Sequence, residues 1–575
     1  MLPNETLHTI LKNDFNIKTE DYKKYEIQAK KLNKPLEQYL FDENIVDEVE
    51  LYTKASHRYE APFITLKGTE IKKEILNLVP PPLAQTHNVV AFDKDKQEVK
   101  LAMLDPMDIQ TIEFLHRKIG LIPKVYFTTP SDIKEALHRY HADLESDVSI
   151  KQLSDGEVAS EKDLKKAAEE LPIINIVNSI LEHAVYEGAS DIHIEPTEKE
   201  IVVRYRVDGI LKNVMNLPKT VRSGIVARIK VLSNLKIDEH MKPQDGRFKI
   251  QIQDEKLSFR VSIMPVYDGE KIVMRLLHEG QKPLNLDQLG FLPEARKLVE
   301  EAIKKPHGMI LVTGPTGSGK TTTLYSLLGI LNQPDVNIST IEDPIEYHVK
   351  GINQSQTNAQ VGFTFAIGLR AFLRQDPDII MVGEIRDNET AQIAVHAAMT
   401  GHLVLSTLHT NDAPTTLPRL LDMDIPPFLV AFTANIIVAQ RLVRKICEHC
   451  KKEYYLDKTE ISELEKSTDI KKIKGLFNKQ KIKLAEKEKD VGTLLFYRGE
   501  GCRRCNNTGY KGRVGIYEVL DIDKDMAKKI NERATADVIK EFAREKGMTT
   551  IMEDGIVKAK QGITTIEEIL RVSKD

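Results

Sequence analysis

The sequence predicts a multidomain α/β protein: a core with a parallel sheet covered on both faces, preceded by α+β domains and followed by a metal-binding and helical C-terminal region. Three observations carry that expectation. The chain has 575 residues, and at roughly 150 residues per domain this length calls for about four domains. Its middle part alternates short apolar runs, at 309–312, 336–341 and 378–382, with helix-forming segments; this is the pattern of buried parallel strands and their crossover helices. Its four cysteines fall in two Cys-x-x-Cys pairs.

Composition narrows the class. Apolar residues make up 41% and charged residues 29%, ordinary values that exclude wholesale disorder. Lys plus Arg total 82 against 86 Asp plus Glu, a formal net charge of -4, without the basic excess of a general nucleic-acid binder. Residues 1–15 carry polar residues throughout and lack the apolar core of a signal peptide. The most apolar long stretch, 425–440, contains Pro426, Pro427, Thr433 and Asn435. It is shorter than the roughly 20 residues a bilayer needs, and it reads as a core helix. The expectation is a cytoplasmic chain with reduced thiols.

The first block covers residues 1–145. Small amphipathic helices are expected near 36–40 and 45–49, strands at 89–92 and 99–103 around a turn, and a closing helix at 133–140. Residues 146–170 are charged and free of aromatics and read as a linker. In 171–280, helical spacing at 174–185 precedes alternating strands at 201–207, 257–263 and 271–277, a compact α+β domain. The core occupies 281–440 and opens with a helix at 294–304. Residues 441–512 carry the cysteines, and 513–575 form a helical end.

Gly314, Pro315, Thr316, Gly317, Ser318, Gly319, Lys320 and Thr321 fit G-x-x-x-x-G-K-[ST], between an apolar run and a helical segment opening with Thr322. That is the context a phosphate-binding loop requires. The glycines let backbone N–H groups approach phosphate oxygens, and the helix N-terminus adds a favourable dipole. Lys320 places its ammonium on the outer phosphates, and the Thr321 hydroxyl can ligate Mg²⁺. The run 378–384 ends at Glu384, placed to polarise the attacking water or hold the metal's water shell. Ile341-Glu-Asp-Pro-Ile-Glu346 sets three carboxylates within six residues. His402 and His409 bracket a short strand, and spacing leaves open whether either meets a γ-phosphate.

Cys447 and Cys450 are separated from Cys502 and Cys505 by 51 residues. Each pair suits one knuckle, and four thiolates are a preferred set for structural Zn²⁺ with no open position for chemistry. The wide separation predicts a protruding, solvated insertion between the pairs.

The phosphate loop, the acidic box 341–346, the run ending at Glu384 with Ile385-Arg-Asp387, and the histidine box 401–411 occur in an order that resembles the ATPases of type II secretion and type IV pilus assembly. Gly188-Ala-Ser-Asp-Ile-His-Ile-Glu-Pro196, Arg204-Tyr-Arg-Val-Asp-Gly209, Pro243-Gln-Asp-Gly-Arg247 and Arg260-Val-Ser262 resemble that family's second N-terminal domain. Gly547-Met548, Glu553-Asp-Gly555 and Gly562-Ile-Thr-Thr565 resemble its C-terminal region. The resemblance implies a RecA-like core, a PAS-like second domain, and a homohexamer with ATP between subunits. It implies Glu384 as catalytic glutamate, Glu346 as its aid with metal or water, and His409 as γ-phosphate sensor. Arg204, Arg206 and Arg260 match the region whose arginines reach the neighbouring site. The motion would act on an inner-membrane platform protein and push pilin or pseudopilin subunits into a fibre, so membrane association is indirect. A tetracysteine site goes with assembly rather than retraction.

Lys34-Pro-Leu-Glu-Gln-Tyr-Leu40 and Ala61-Pro-Phe63 resemble the family's first domain, which docks on a membrane-protein partner. Some relatives bind cyclic di-GMP there through Arg-Leu-Gly-type repeats. Here the stretch reads Lys31-Leu-Asn33 with no second copy, so docking rather than cyclic di-GMP binding is expected. The rival class is a nucleic-acid translocase; the absence of tryptophan and of a basic stripe interleaved with aromatics weighs against it. The motifs do not separate type II secretion, a competence pseudopilus and a type IV pilus.

Overall fold

The computed structural model describes residue 2 and residues 4–31, 34–43, 45–69, 71–137, 164–165, 168–252, 255–278, 283–467, 475–477, 480, 482, 493–505 and 508–573. It divides into two compact units, Met1–His278 and Glu279–Asp575. No described helix is long and apolar enough to cross a membrane.

The first unit begins with helices Asn4–Asn13, Thr19–Lys31, Leu36–Asp42 and Glu48–Arg58, which close over Leu7, Ile10, Leu40, Leu51 and Tyr52. A three-stranded sheet follows: β1 (Val89–Lys94), β2 (Glu98–Met103) and β3 (Ile122–Phe127). The β1–β2 turn forms because the Asp95 carboxylate accepts from the backbone N–H of Gln97 and Glu98, an Asx turn. The β2–β3 pair is parallel, so a crossover is needed. The helix Ile109–Ile119 supplies it, capped by Asp108 and ended by Gly120 at φ 75°. Helix also covers 130–137; the last three residues of the expected 133–140 helix, Leu32, Asn33 and most of the 146–170 linker lie outside the described residues.

The same unit then forms the helix Leu171–Tyr186 and a six-stranded antiparallel sheet of β4 (Ala189–Pro196), β5 (Glu200–Val207), β6 (Ile210–Pro218), β7 (Gln244–Ile252), β8 (Glu255–Val266) and β9 (Gly269–His278). Their spatial order is β6-β5-β4-β9-β8-β7. The alternation of β5 does what its period dictates: Ile201, Val203 and Tyr205 are buried against the helix residues Ile176, Ile180 and Leu181, while Arg204 and Arg206 take the opposite face.

The second unit is built on a seven-stranded sheet ordered β12-β11-β13-β14-β10-β15-β18, from β10 (Gly308–Thr313), β11 (Ile338–Glu342), β12 (Asn353–Gln356), β13 (Ile379–Val382), β14 (Leu403–Leu408), β15 (Ala434–Ile446) and β18 (Tyr510–Asp521). Two further strands, β16 (Lys451–Tyr455) and β17 (Leu495–Gly499), make a separate ribbon. Every residue of β10 and β14 is buried. Leu311, Ile380 and Val404 feed one apolar cluster and Ile310, Met381 and Leu405 another, as expected of a sheet covered on both faces.

Three sequence expectations need correction. Residues 425–440 are not one helix: Pro427–Thr433 is helical and β15 starts at Ala434. The β-branched Ile436, Ile437 and Val438 favour a strand, and β10 on one side and β18 on the other supply its pairing. The core therefore does not stop at 440, because β15 runs on to Ile446 and β18 returns beyond the cysteines as an antiparallel edge strand. The described part of the insertion does not simply protrude: Leu464, Phe477 and Phe496 are buried against Ile556, Val557, Ile566 and Ile569 of the last two helices. Those helices, Ile551–Lys560 and Ile566–Ser573, are anchored by buried charge. Lys558 pairs with Asp554 and donates to the Gly515 carbonyl (2.7 Å), and both side chains are at most 2% exposed.

Candidate functional site

In parallel α/β sheets ligands bind outside the carboxyl ends of the strands. Here the ends of β10, β14 and β13 lie side by side, in that order. Thr313 is level with Leu408, and Val382 with Ser406. The phosphate loop, the histidine box and Glu384 are thus brought together by topology, although they span residues 314–411.

The loop leaves β10 at Gly314, whose φ is 142°; a Cβ there would lie 2.4 Å from the Gln440 carbonyl oxygen. Gly319 caps the helix Lys320–Leu331 at φ 88°, a conformation that favours glycine. The Lys320 ammonium donates to the carbonyls of Gly314 (2.8 Å) and Pro315 (3.1 Å). Burial lowers its pKa from the ordinary value; the charge of Glu384 acts the other way and that of Arg441 adds to the lowering. Pro315, Thr316 and Gly317 are exposed, as is Thr322, and Thr321 is half-buried. The Ser318 hydroxyl is buried without a hydrogen-bond partner.

Gln440 is a residue the sequence reading missed. It is 1% exposed, donates from Nε2 to the Ser318 carbonyl (2.6 Å) and accepts from the Thr323 hydroxyl (2.8 Å). From β15 it braces the end of the loop and the first turn of the helix that follows. A lone glutamine closing the run Ile436-Ile-Val-Ala-Gln440 was the available signal.

Glu384 stands two residues beyond β13 and is largely buried. Its Oε2 accepts from Arg386 Nε (2.6 Å) and lies 3.2 Å from His409 Nε2. The structure separates the two histidines of the box: His409 reaches Glu384, whereas His402 Nδ1 donates to the Ala397 carbonyl (2.9 Å) and closes the end of a helix. Arg386 was not singled out beforehand, although it follows Glu384 by two residues.

The acidic box splits as well. Glu342 is 2% exposed and accepts from Tyr325, from Thr340 (2.6 Å) and from Gln354 (3.1 Å). Burial raises its pKa, and its bonds make it a brace for the phosphate-loop helix. Glu346 adjoins Glu342 and Tyr325. Asp343 is exposed and near enough to Arg386 to raise that guanidinium's pKa.

In the first unit the predicted arginines share one sheet face. Arg206 is opposite Asp191, Asp191 opposite Arg275, Arg275 opposite Arg260, and Arg260 opposite Arg247, so one rung holds four arginines and one aspartate. Asp191 accepts from Arg275 Nε at 3.0 Å and lies 3.7 Å from Arg206. Arg204 is held by Glu195 at 2.7 Å. Arg260 is exposed.

The four cysteines meet in the second unit, each pair a tight turn in which the second cysteine's N–H donates to the first one's carbonyl. Sulfur separations are 3.7 Å for Cys447–Cys502, 3.8 Å for Cys450–Cys505 and 3.7 Å for Cys502–Cys505. A disulfide needs about 2.05 Å, whereas tetrahedral zinc with Zn–S near 2.3 Å spaces its sulfurs about 3.8 Å apart. The donor set fits zinc. Backbone N–H groups of Cys502 and Gly509 donate to the Cys505 sulfur (3.2 and 3.3 Å), the outer bonds that orient metal thiolates.

The family described as Type II/IV secretion system protein matches residues 166–571, and the MshEN domain matches residues 59–147. The expectation that the first block does not bind cyclic di-GMP stands unconfirmed beside that match. The chain is 42% identical over 538 residues to the type IV pilus assembly ATPase PilB of Myxococcus xanthus, covering 91% of each chain. It is 45% identical over 433 residues to type II secretion system protein E of Pseudomonas aeruginosa, covering 75% of this chain and 82% of the relative. The solved Yersinia pseudotuberculosis ATPase DotB matches 70% of this chain and 93% of its own at a TM-score of 0.50 and 21% identity, a likeness of fold. With its phosphate loop, Glu384 and His409 set at the ends of adjacent strands, the chain belongs to the type II/IV secretion system protein family.

Proposed function

We propose that this chain hydrolyses ATP at the phosphate loop and uses the energy to assemble a type IV pilus or a secretion pseudopilus. One observation carries the reading: Lys320, Glu384 and His409, far apart in sequence, converge at the ends of neighbouring strands in a chain 42% identical to a pilus assembly ATPase over 91% of its length. Lys320 exchanges the Gly314 and Pro315 carbonyls for phosphate oxygens. The Ser318 and Thr321 hydroxyls and the loop N–H groups hold the phosphates, with Thr321 the protein ligand of Mg²⁺. When bound, Mg²⁺ would supply charge neutralisation at the transferring phosphoryl group. Glu384 takes the proton of the attacking water, kept in place by Arg386. His409, touching Glu384 from the adjacent strand, reports the γ-phosphate. Glu346 assists from the acidic box, and Arg204, Arg206 and Arg260 complete the site of a neighbouring subunit in a homohexameric ring.

The division of labour follows the blocks. Residues 1–145 dock on a membrane partner and 171–280 form the moving arm. The sheet from 281 onward is the motor acting on an inner-membrane platform protein, and Zn²⁺ on Cys447, Cys450, Cys502 and Cys505 staples the insertion. The test is phosphate release by the purified full chain. Lys320→Ala is expected to reduce ATP hydrolysis about 10³-fold, as befits a reaction carried by electrostatic positioning; unchanged turnover overturns the assignment.

A further inference from the structure

Outside the nucleotide and cysteine sites, one cluster in the first unit has polar atoms its surroundings do not satisfy. His183 lies in the last turn of the helix Leu171–Tyr186, and Glu187 caps that helix, so the two share a face at i and i+4. His87 ends the helix Pro81–His87 in the preceding block. Their ligand atoms all lie within 4.8 Å of one another. Glu187 Oε1 is 3.0 Å from His87 Nε2 and 3.8 Å from His183 Nε2.

His183 is 2% exposed, and neither of its ring nitrogens has a hydrogen-bond partner. Buried polar atoms are rarely left so, and each such case needs an explanation. His87 shows the complementary feature. Its Nδ1 lies 2.9 Å from Asp108 Oδ2 and 2.9 Å from the Thr111 hydroxyl, which donates to the same carboxylate oxygen at 2.7 Å. With the Nδ1 proton committed to Asp108, the Nε2 lone pair faces the Glu187 carboxylate, acceptor against acceptor. A cation between them removes the conflict. A second proton on His87 would do so for that ring and leave His183 unexplained. A metal ion accounts for both rings at once.

We propose that His87, His183 and Glu187 bind one divalent transition-metal ion, Zn²⁺ by ligand type, clamping the first block to the helix that begins the second. Two imidazoles and a carboxylate are a common zinc donor set. Asp108 behind His87 supplies the carboxylate–histidine pairing that orients metal-bound imidazoles.

Zinc content of the purified full-length chain, expressed with zinc supplied, tests the site and separates it from the cysteines. His183→Gln and Glu187→Gln are each expected to lower the content by one zinc per chain, and Cys502→Ser to lower it by a separate one. X-ray absorption at the zinc edge of the Cys502→Ser chain is expected to show nitrogen and oxygen ligands near about 2.0 Å. If His183→Gln leaves no soluble chain, Glu187→Gln and the absorption spectrum decide. Parental zinc content in Glu187→Gln, or a Cys502→Ser chain without zinc, overturns the proposal and leaves a proton between His87 and Glu187.

Discussion

In the cysteine cluster three sulfur separations fall within 3.7–3.8 Å, and the knuckle turns hold them there. At the nucleotide site the polar groups are instead lent to one another: Lys320 to two loop carbonyls, Glu384 to Arg386 and His409. His409 remains half exposed, at 49%. On the proposed reading, the difference is that between a closed structural centre and a catalytic one whose contacts are exchanged in every cycle. Ligand geometry is finished in the first; in the second only the backbone is finished, by Gln440 and Glu342 beneath the loop and its helix.

That contrast can be broken by asking whether variants lose stability or activity. Lys320→Ala has the largest expected effect, the roughly 10³-fold loss of hydrolysis given above, equivalent to about 4 kcal/mol of transition-state stabilisation. Its stability by thermal melt should stay within about 0.5 kcal/mol of the parent chain, the range of an ordinary surface change. Cys502→Ser should do the reverse, losing one zinc by metal analysis and about 4 kcal/mol of stability by denaturant melt. Lys558→Met strands the buried Asp554 carboxylate and should cost about 3 kcal/mol by the same melt.

A smaller effect concerns Glu518 on β18, which is 2% exposed and accepts from the Ala413 N–H (2.9 Å). Burial pushes its carboxyl up to about 7 from 4.5, Asp412 adds to the rise, and Lys540 opposes it. The unfolded chain gives up this proton at lower pH than the folded one. The folded state is therefore progressively disfavoured as pH rises from 4.5 to 7, and the loss persists above. Glu518→Gln should raise stability by about 2 kcal/mol at pH 8 and change little at pH 5, read from melts at the two pH values. The smallest change is expected of His402→Ala, below about 1 kcal/mol and without loss of hydrolysis, since its ring bonds only a helix end.

Local chemistry was readable in advance and pairing partners were not. The phosphate loop, the cysteine pairs and the apolar run that leads to Glu384 announce themselves in short windows, because glycines, thiols and a terminal carboxylate are needed at fixed spacing. Spacing alone leaves the two histidines alike; the resemblance picks His409, and β13 and β14 lying in register place it beside Glu384 while His402 closes a helix end. Residues 434–440 were misread because an apolar run has no period to distinguish a buried strand from a helix. That misreading hid Gln440 and placed a boundary inside β15. The rung linking Arg206 to Arg247 depends on the register of five strands, a long-range property, so Arg275 escaped notice.

The central claim is that Glu384 takes the proton while the loop holds the nucleotide. Single-turnover phosphate release from Glu384→Gln, measured beside ATP binding on the same preparation, tests it most directly. ATP is expected to be bound about as tightly as by the parent chain, with phosphate release at background. Release at the parental rate would contradict it.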